Sequence, residues 1–450
     1  MKVAKFGGSS LADASQIMKV VNIVKADPAR RIVVVSAPGK RFSGDIKVTD
    51  LLIALAKAVI AGKGYESELA AVVDRYATIQ QELGLDGSVV AEIEKDLRDR
   101  IQGRSEHEAQ FRDAMKAAGE DNCAKLVARV FTGQGLPAVY VDPREAGMLL
   151  SEDFGNAQVL PESYARLASL KHRQETLIFP GFFGYTRQGQ VATFPRGGSD
   201  ITGSILAAAV GAEVYENFTD VDSVFAVDPR ILPDARPIPV LTYQEMRELA
   251  YAGFGVFHDE AIIPVVQAKI PICIKNTNRP EAPGTLIVPQ RKYQQGEVVG
   301  VASAAGFSTI YLSKYMMNRE VGFGRRLLQI LEQEQLSFEH VPSGIDSMSV
   351  ILRRTSLTPK KEEKVLNRIR DELQPDDVTV EHGLVLIMIV GEGMRYAVGL
   401  AARATAALAE RGVNIEMMNQ GSSEISIVFG VKEMDHKTAV EALGRALLAR

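Results

Sequence analysis

Two short stretches of this sequence place charged side chains beside paired glycines. Lys5 comes just before Gly7-Gly8, and Arg196 comes just before Gly197-Gly198, which Asp200 follows. Adjacent glycines let the backbone approach a ligand closely, and the N–H groups of a following helical turn favour anions. Lysine supplies a point charge for a phosphate, whereas arginine suits a bidentate grip on a carboxylate or phosphate. The two stretches therefore predict a site for two anionic groups, with a phosphate donor as the first hypothesis.

Both stretches also have ordinary structural interpretations. The first lacks the spacing of a P-loop, and its glycines alone are equally consistent with a plain turn between a strand and a helix. Asp200 and Thr49 are residue types that commonly cap helices, and the pattern around Glu120 favours an exposed helical glutamate. A third stretch, Thr219-Asp220, ends a strand in polar groups and leads to Asp228-Pro229-Arg230, which by pattern is a turn.

The surrounding pattern indicates an α/β domain that would carry these groups at one edge of a sheet. Apolar runs at residues 3–6 and 31–36 flank a segment with helical periodicity, which predicts a β-α-β unit with buried parallel strands. The pattern of residues 65–133 predicts helices, and residues 182–185 and 191–194 are predicted to form a hairpin. Open α/β sheets bind ligands beyond the carboxyl ends of their strands, where Ser36 falls.

Composition narrows the classes of partner. The 450 residues carry a net charge of −4 with both signs interspersed, so neither nucleic acid nor a membrane surface is a predicted partner. The amino-terminal segment turns glycine-rich before an apolar region develops, and no apolar run approaches the roughly 18 residues of a membrane span, which predicts a cytoplasmic protein. Cys123 and Cys273 are predicted to be buried thiols, and the six histidines lack ligand spacing, so no structural metal is expected.

The last third of the chain has a different order of predicted strands and helices, and this order is repeated. Residues 291–297 are polar and unperiodic and are predicted to be a linker. Residues 306–380 follow the pattern βαββαβ, including a predicted strand at 336–340, and residues 384–450 repeat βαββα. A spare strand at residues 298–303 is predicted to complete the second module, so that the first module is inserted within the second.

The chain resembles the aspartokinase family over essentially its whole length. The resemblance rests on Lys5-Phe6-Gly7-Gly8-Ser9-Ser10, on Gly197-Gly198-Ser199-Asp200, on the stretch from Thr219-Asp220 to Asp228-Pro229-Arg230, and on the two tail modules. Related kinases share the opening glycines, whereas the combination with two tail modules is specific. The resemblance implies an α/β amino-acid kinase fold for residues 1–290, with a mainly parallel sheet sandwiched by helices, followed by two α+β ACT domains.

The resemblance also implies roles for individual residues. Lys5 and Asp200 would be catalytic, with Gly7 and Gly8 beside Lys5 at the phosphates, and Glu120 would face the substrate's ammonium. The implied aspartate-binding residues are Ser36, Thr49, Glu120, Arg196 and Ser199, and the further nucleotide-binding residues are Thr219, Asp220, Phe225 and Arg230. The chain departs from the family at Phe225, where tyrosine is frequent, and at Gly255, where a lysine often approaches the nucleotide.

The implied reaction is phosphoryl transfer from MgATP to the β-carboxylate of L-aspartate. Its product is 4-phospho-L-aspartate, the first intermediate toward lysine, threonine and methionine. The Mg²⁺ ion would come with ATP rather than from a metal site of the protein. A carboxylate is already ionised at neutral pH, so positioning and charge neutralisation should dominate catalysis.

Regulation is implied by the tail modules. ACT domains of this family pair across subunits and bind amino acids, which implies a homo-oligomer, a dimer or larger, inhibited by lysine and/or threonine, with lysine as first choice. The implied effector-binding residues are Met317, Gly322, Phe323, Gly324, Glu339, Ser343, Ile345 and Asp346. Glu339 or Asp346 would face the ammonium of lysine.

Two alternatives to a regulated aspartate kinase stay open. One is a related kinase with another acceptor, which the pair Arg196 and Glu120 disfavours because the two side chains suit a zwitterion. The other is a catalytically impaired amino-acid sensor, which Lys5 and Asp200 disfavour. A fused homoserine dehydrogenase is not expected, because the sequence ends with the second module.

Overall fold

The computed structural model describes residues 1–195, 197–254 and 259–448. Their contacts divide the chain into two units. Unit 1 holds the described residues of Met1–Val224, Pro237–Met246 and Gly255–Arg291, and unit 2 holds those of Phe225–Arg236, Arg247–Phe254 and Lys292–Arg450.

Unit 1 contains both strands and helices. The strands are β1 (Lys2–Phe6), β2 (Arg30–Val35), β3 (Ala138–Tyr140), β4 (Thr176–Pro180), β5 (Phe183–Tyr185), β6 (Val191–Thr193), β7 (Val214–Thr219), β8 (Val240–Thr242), β9 (Ile272–Asn276) and β10 (Thr285–Val288). The helices are α1 (Ala14–Lys25), α2 (Val48–Ile60), α3 (Glu66–Glu82), α4 (Ser88–Gln102), α5 (Glu108–Gly133), α6 (Pro143–Ala146), α7 (Glu162–Leu167), α8 (Gly198–Val210) and α10 (Ile263–Gln267). A further helix, α9 (Tyr243–Tyr251), has its residues up to Met246 in unit 1 and the rest in unit 2.

The main sheet of unit 1 has β1 near its middle. Within the described residues its order is β3-β4-β2-β1-β7-β9-β10-β8. β1 pairs in parallel with β2 on one side and with β7 on the other, and β4 and β9 continue the parallel pairing outward. The carboxyl ends of these strands therefore meet at one edge, as a ligand-binding α/β sheet requires. The predicted mainly parallel α/β sheet is confirmed.

Helices α1 to α5 pack with this sheet into one apolar core. The core joins Phe6 of β1 and Val33 of β2 to residues from all five helices, among them Leu52 and Tyr76. Val33 and its neighbours on β2 are fully buried, which explains the unbroken apolar run in the sequence. The predicted helical block is confirmed as α3, α4 and α5, and β5 pairs with β6 as the predicted hairpin.

Unit 2 is built on two long antiparallel strands. Its strands are β11 (Gly300–Ser313), β12 (Ser347–Arg353), β13 (Asp377–Val390), β14 (Met417–Gln420) and β15 (Ser426–Lys432), and its helices are α11 (Phe323–Gln333), α12 (Pro359–Leu373), α13 (Leu400–Glu410) and α14 (His436–Leu448). In its five-stranded sheet the order is β12-β11-β13-β15-β14 among the described residues.

The two long strands serve both predicted modules. The first part of β11, from Gly300 to Ala304, pairs with the end of β13, and the part from Phe307 onward pairs with its beginning. The register shifts between Ala304 and Phe307, where Gly306 has a φ of 88°. β12 then flanks one half of the pair, and β15 with β14 flanks the other. The predicted α+β character of the tail is confirmed.

The strand predicted at residues 336–340 is wrong. His340 forms only an isolated bridge with Ile351, and Ser343 forms another with Met348. Pro342 lies between the two bridges and has no N–H to donate, so one ladder hydrogen bond is lost there, although its carbonyl oxygen accepts from the N–H of Ser349.

Among the described residues, none of the longer helices has the apolar, weakly charged stretch that a bilayer span requires.

Candidate active site

Lys5 lies at the centre of a hydrogen-bonded group of three side chains at the end of β1. Its Nζ is 2.6 Å from Oδ1 of Asp200 and 3.5 Å from Oδ1 of Asn217. Asn217 donates from Nδ2 to the same Asp200 oxygen at 2.9 Å. Lys5 is 7% exposed and Asn217 2%, so the group is held in a largely water-free place. Asp200 is thereby oriented toward Lys5 rather than toward the backbone of its own helix.

Asn217 was missed by the sequence analysis. It stands directly opposite Lys5 in the register of β7 with β1. The signal in the sequence was weak, because a single asparagine inside a strand has no periodicity to mark it. Pairing of strands more than 200 positions apart in the chain decides its role.

The glycine pair after β1 touches the loop after β2. Gly39 donates its N–H to the carbonyl oxygen of Gly8 at 2.8 Å. A Cβ atom on Gly8 would lie 2.9 Å from the carbonyl oxygen of Ala37, and one on Gly39 would lie 2.5 Å from the carbonyl carbon of Gly8. Neither residue can carry a side chain without moving the other loop. The helical turn Gly8–Leu11 follows, and the first N–H groups of such a turn are free to meet phosphate oxygens.

Glu120 is buried, so the interpretation as an exposed helical glutamate is wrong. It lies within α5 and is 5% exposed, and the backbone N–H of Ala37 donates to its carboxyl group. Burial raises the pKa of Glu120 to about 8, although this hydrogen bond favours the ionised form. Among the described residues, Oε2 of Glu120 has no partner. A cation brought to this carboxyl group would therefore favour its ionised form.

Ser36 and Thr49 flank the same loop. Ser36 follows β2 directly and donates its N–H to the carbonyl oxygen of Phe6. Thr49 lies in the first turn of α2, whose N-cap is Lys47, so the interpretation of Thr49 as the N-cap is wrong. Both residues are partly exposed at the sheet edge where β1 ends.

The second glycine pair begins α8 in a crowded place. Gly197 is the N-cap with a φ of 83°, which rules out Asp200 as the cap. A Cβ atom on Gly198 would lie 2.5 Å from the ring of Phe182, and Ser199 packs against Gly181 at the end of β4. Phe182 itself has a φ of 74°, an uncommon value for a bulky residue, and donates its N–H to Thr202. Arg196 lies outside the described residues.

The residues predicted to hold the nucleotide divide between the two units. Thr219 ends β7, and its hydroxyl group donates to Oδ1 of the exposed Asp220 at 3.1 Å. Phe225 and Arg230 belong to unit 2, where Arg230 is paired with Asp228 at 2.7 Å and its side chain is 90% exposed. Gly255 lies outside the described residues.

The predicted effector residues occupy two places in unit 2. At the first of these places, Met316 donates its N–H to Oδ1 of Asp346, and Asn318 donates its N–H to the carbonyl oxygen of Ile345. These two hydrogen bonds join the loop before α11 to the loop before β12. Met317, Gly322, Phe323, Gly324, Ser343, Ile345 and Asp346 lie in or beside these loops. The second place holds Glu339, which accepts hydrogen bonds from Arg353 and from the hydroxyl group of Tyr251.

Phe323 differs from the other predicted effector residues. It is 3% exposed and packs in the apolar core formed by α11, α12 and their strands. Ile345, by contrast, is 69% exposed. The side chain of Phe323 thus supports the module, and a ligand at this loop would meet its backbone.

Known proteins share both the sequence and the fold. Residues 1–276 match the amino acid kinase family, and residues 387–447 match the ACT domain. Aspartokinase 3 of Bacillus subtilis is 56% identical over 450 residues, which is 100% of this chain and 99% of the relative. The crystal structure of the aspartate kinase of Clostridium acetobutylicum superposes with a TM-score of 0.89 at 36% identity, covering 99% of this chain and 100% of that one.

Two crystal structures of aspartokinase III of Escherichia coli are also similar. The complex with aspartate and ADP has a TM-score of 0.81 at 25% identity and covers 100% of both chains. The complex with lysine and aspartate has a TM-score of 0.81 at 26% identity and covers 99% of both. With matches of this extent beside the geometry around Lys5, the chain belongs to the aspartokinase family and is an aspartate kinase.

Proposed function

We propose that the chain transfers the γ-phosphoryl group of MgATP to the β-carboxylate of L-aspartate, with Lys5 as the central catalytic residue. The observation that carries the proposal is the buried group of Lys5, Asp200 and Asn217 at the end of the middle strand. β2 and β4 lie on one side of β1 and β7 on the other, so Ser36, proposed to bind aspartate, and Thr219, proposed to bind the nucleotide, belong to strand ends on opposite sides of β1.

The chemistry requires little acid–base catalysis. An oxygen of the β-carboxylate forms a bond to the γ-phosphorus while the bond from that phosphorus to the β–γ bridging oxygen breaks, and the electron pair leaves with ADP. The ammonium of Lys5 offsets negative charge on the transferring group, and Asp200 with Asn217 holds that ammonium in place. Mg²⁺ bound to the phosphates would supply further charge neutralisation.

Glu120 is proposed to bind the ammonium of aspartate. Its unpartnered Oε2 and its raised pKa mark a buried carboxyl group that gains stability when a cation arrives. Ser36, Thr49 and Ser199 would add hydroxyl contacts, and Arg196 would hold the α-carboxylate.

On the nucleotide side, Gly7 and Gly8 would contact the phosphates, while Thr219, Asp220, Phe225 and Arg230 would contact the rest of ATP. The exposed carboxylate of Asp220 at the end of β7 also suits a contact to the Mg²⁺ ion carried by the phosphates.

A hydroxamate assay tests the proposal. Hydroxylamine traps an acyl phosphate, so the wild-type protein with MgATP should form the hydroxamate from L-aspartate. Succinate, which lacks the ammonium, should react much more slowly, and this ratio should shrink in Glu120→Gln. Failure of the wild-type protein to form hydroxamate from aspartate would contradict the proposed reaction, and equal use of succinate would contradict the role of Glu120.

Feedback control by lysine, with threonine as the second choice, is proposed to act at the loops around Asp346. Both oxygens of Glu339 accept hydrogen bonds from Arg353 and Tyr251, so Asp346 is the better partner for the ammonium of an effector. The Escherichia coli relative crystallised with lysine supports this choice of amino acid. Inhibition by such an effector requires different affinities for an active and an inactive arrangement.

A homo-oligomer formed through unit 2 is part of the same proposal, and a cytoplasmic location stays a prediction. Tyr315, Val321 and Ile345 are 77%, 98% and 69% exposed, and apolar loops of this kind favour coverage by a second copy. Sedimentation with and without lysine measures the assembly, and a monomer under both conditions would contradict it.

A further inference from the structure

We infer that Arg75, a residue of α3, is a positioning residue that holds together three loops of the phosphoryl-transfer site, and that the use of aspartate depends on it. The inference rests on the proposed function, because the loops concerned are those proposed to meet aspartate and the phosphates.

Arg75 reaches each of the three loops with its guanidinium group. Nη2 donates to the carbonyl oxygen of Ala12 at 3.0 Å and to that of Gly39 at 2.6 Å. Nη1 donates to Oδ2 of Asp45 at 2.5 Å. The side chain is 4% exposed, so these contacts are made away from water. A buried charge is retained only where such partners compensate its lost hydration.

The first two contacts fix the glycines of the site. Ala12 ends the helical turn that follows Gly8, and Gly39 is the residue whose N–H meets Gly8. Because a Cβ atom would not fit between Gly8 and Gly39, the two backbones lie as close as glycine allows. Arg75 binds both sides of this contact at once, so its loss would let the phosphate-side turn and the aspartate-side loop separate.

The third contact fixes the exposed loop between Gly39 and α2. Phe42 and Ile46 on this loop are 64% and 54% exposed, so the loop has little apolar packing of its own. Asp45 is its anchor: its side chain is 8% exposed and accepts from Arg41 and Arg75. These hydrogen bonds hold the pKa of Asp45 well below its usual range. The loop then leads to Val48, whose N–H donates to Pro38, and so to Thr49.

The neighbouring residue on α3 supports the same place from another side. Tyr76 is buried and donates its hydroxyl group to the carbonyl oxygen of Gly119 at 2.8 Å, one residue before Glu120. A Cβ atom on Gly119 would lie 2.8 Å from that of Ala37, so α5 and the loop after β2 are also in close contact. Arg75 and Tyr76, which are neighbours on α3, therefore hold the loops and the helix α5 that carry the proposed aspartate contacts.

Lysine cannot replace Arg75 in this arrangement. An ammonium is a single point of charge, whereas the guanidinium donates in fixed directions to three partners that lie apart. Arg75→Lys keeps the positive charge and should lose some of the three hydrogen bonds. Arg75→Met keeps the size of the side chain and loses both the charge and the hydrogen bonds. Asp45→Asn weakens only the third contact. Arg98→Met is the matched control, because Arg98 forms its ion pairs with Glu66 and Glu94 at the surface.

The experiment measures kcat and the KM values for aspartate and ATP, with thermal melting of each variant. We expect KM for aspartate to rise by about tenfold or more in Arg75→Met, by less in Arg75→Lys and by about threefold in Asp45→Asn, while KM for ATP changes by less than about threefold. A smaller change is expected for ATP because only the contact to Ala12 reaches the turn proposed to meet the phosphates. Thr219 and Asp220, which are proposed to contact the rest of ATP, lie at the end of β7 on the other side of β1. Arg98→Met should behave as the wild type.

The outcomes separate the inference from the proposed function. A wild-type protein that forms no aspartyl hydroxamate contradicts the proposed function. The inference is overturned if the wild type is active and the folded Arg75 variants show unchanged kcat and unchanged KM values for aspartate and ATP. It is also overturned if both KM values rise equally and in proportion to the loss of melting temperature. If Arg75→Met does not fold, the same comparison of KM for aspartate with KM for ATP is made in Arg75→Lys and Asp45→Asn.

Discussion

The proposed catalytic centre of unit 1 and the proposed effector loops of unit 2 differ in how far their side chains are buried. In unit 1, Lys5 and Glu120 are 7% and 5% exposed, and Lys5 is held by Asp200 and Asn217. In unit 2, Val321 is 98% exposed and Ile345 69%, and the loops carry apolar side chains into solvent.

The difference follows from what each place is proposed to do. Charge stabilisation of a transition state is strongest when the charged groups are preorganised and water is excluded. A regulatory site gains from being incomplete, because a ligand can then favour one assembly over another by supplying the missing contacts. The comparison predicts large effects on turnover from changes in unit 1 and small, ligand-dependent effects from changes in unit 2.

The largest effect is expected for Lys5→Ala. Without the ammonium, the charge on the transferring phosphoryl group is unbalanced, and kcat should fall by about a thousandfold or more while the fold is retained. Coupled ADP release measures turnover, and circular dichroism checks folding. Lys25→Ala is the control, because Lys25 is exposed at the end of α1. Near-normal turnover in folded Lys5→Ala would contradict the proposed catalytic role of Lys5.

Glu120→Gln should act on aspartate rather than on ATP. The buried carboxylate would lose its charge, so kcat/KM for aspartate should fall by about thirtyfold with little change in KM for ATP. Glu108→Gln, at the exposed start of the same helix, is the control. A similar loss for both substrates would place Glu120 outside the aspartate site.

The pH dependence sharpens the same test. Because burial raises the pKa of Glu120 to about 8, the free protein holds this carboxyl group protonated at neutral pH, whereas an ammonium requires the ionised form. KM for aspartate should therefore fall as pH rises toward about 8, by up to about tenfold per pH unit, and Glu120→Gln should remove this slope.

The free energy of unfolding of the protein without aspartate should fall as pH rises, whereas the affinity for aspartate should rise. An unfolded glutamate ionises near pH 4.5, so between that value and about 8 the folded chain binds the extra proton and loses stability as pH rises. Thermal melting with and without aspartate measures both trends. Equal pH profiles for the wild type and Glu120→Gln would contradict the assignment.

A smaller effect is expected for Asn217→Ala. Asn217 touches Asp200 and Lys5 and is proposed to orient them without binding a substrate, so kcat should fall by about tenfold with KM values little changed. Asn278→Ala, on the surface, is the matched control. A rise in KM without a loss of kcat would show that Asn217 contacts a substrate instead.

The smallest effect tests unit 2 through its internal repeat. Met316 donates its N–H to Asp346 at 2.8 Å, and in the second module Tyr396 donates its N–H to Glu424 at 2.9 Å. Both donors have a left-handed backbone, with φ of 62° and 58°. Asp346→Ala should raise the lysine concentration for half inhibition by about tenfold with basal kcat unchanged, whereas Glu424→Ala should shift it by less than about twofold. Equal shifts would remove the assignment to the first module.

Local patterns in the chain were enough to predict the alternation of strands and helices, the glycine pairs and Lys5. Buried parallel strands leave continuous apolar runs, and close backbone approaches require glycine, so both are visible in a single segment. The pattern failed at Glu120, because one glutamate in a helix looks the same whether its side of the helix meets solvent or a cavity. It failed again at residues 336–340, where the pairing is limited to the bridge of His340 with Ile351.

The sequence by itself therefore determined the fold class, the two-module pattern of the tail and Lys5 as the residue proposed to lie at the centre of the chemistry. Tertiary structure alone decided what surrounds that residue. Asn217 meets Lys5 only because β7 pairs with β1, and Arg75 meets Ala12, Gly39 and Asp45 only because α3 packs behind their loops. The physical reason is that hydrogen bonds between distant segments depend on register and packing, which no local spacing records.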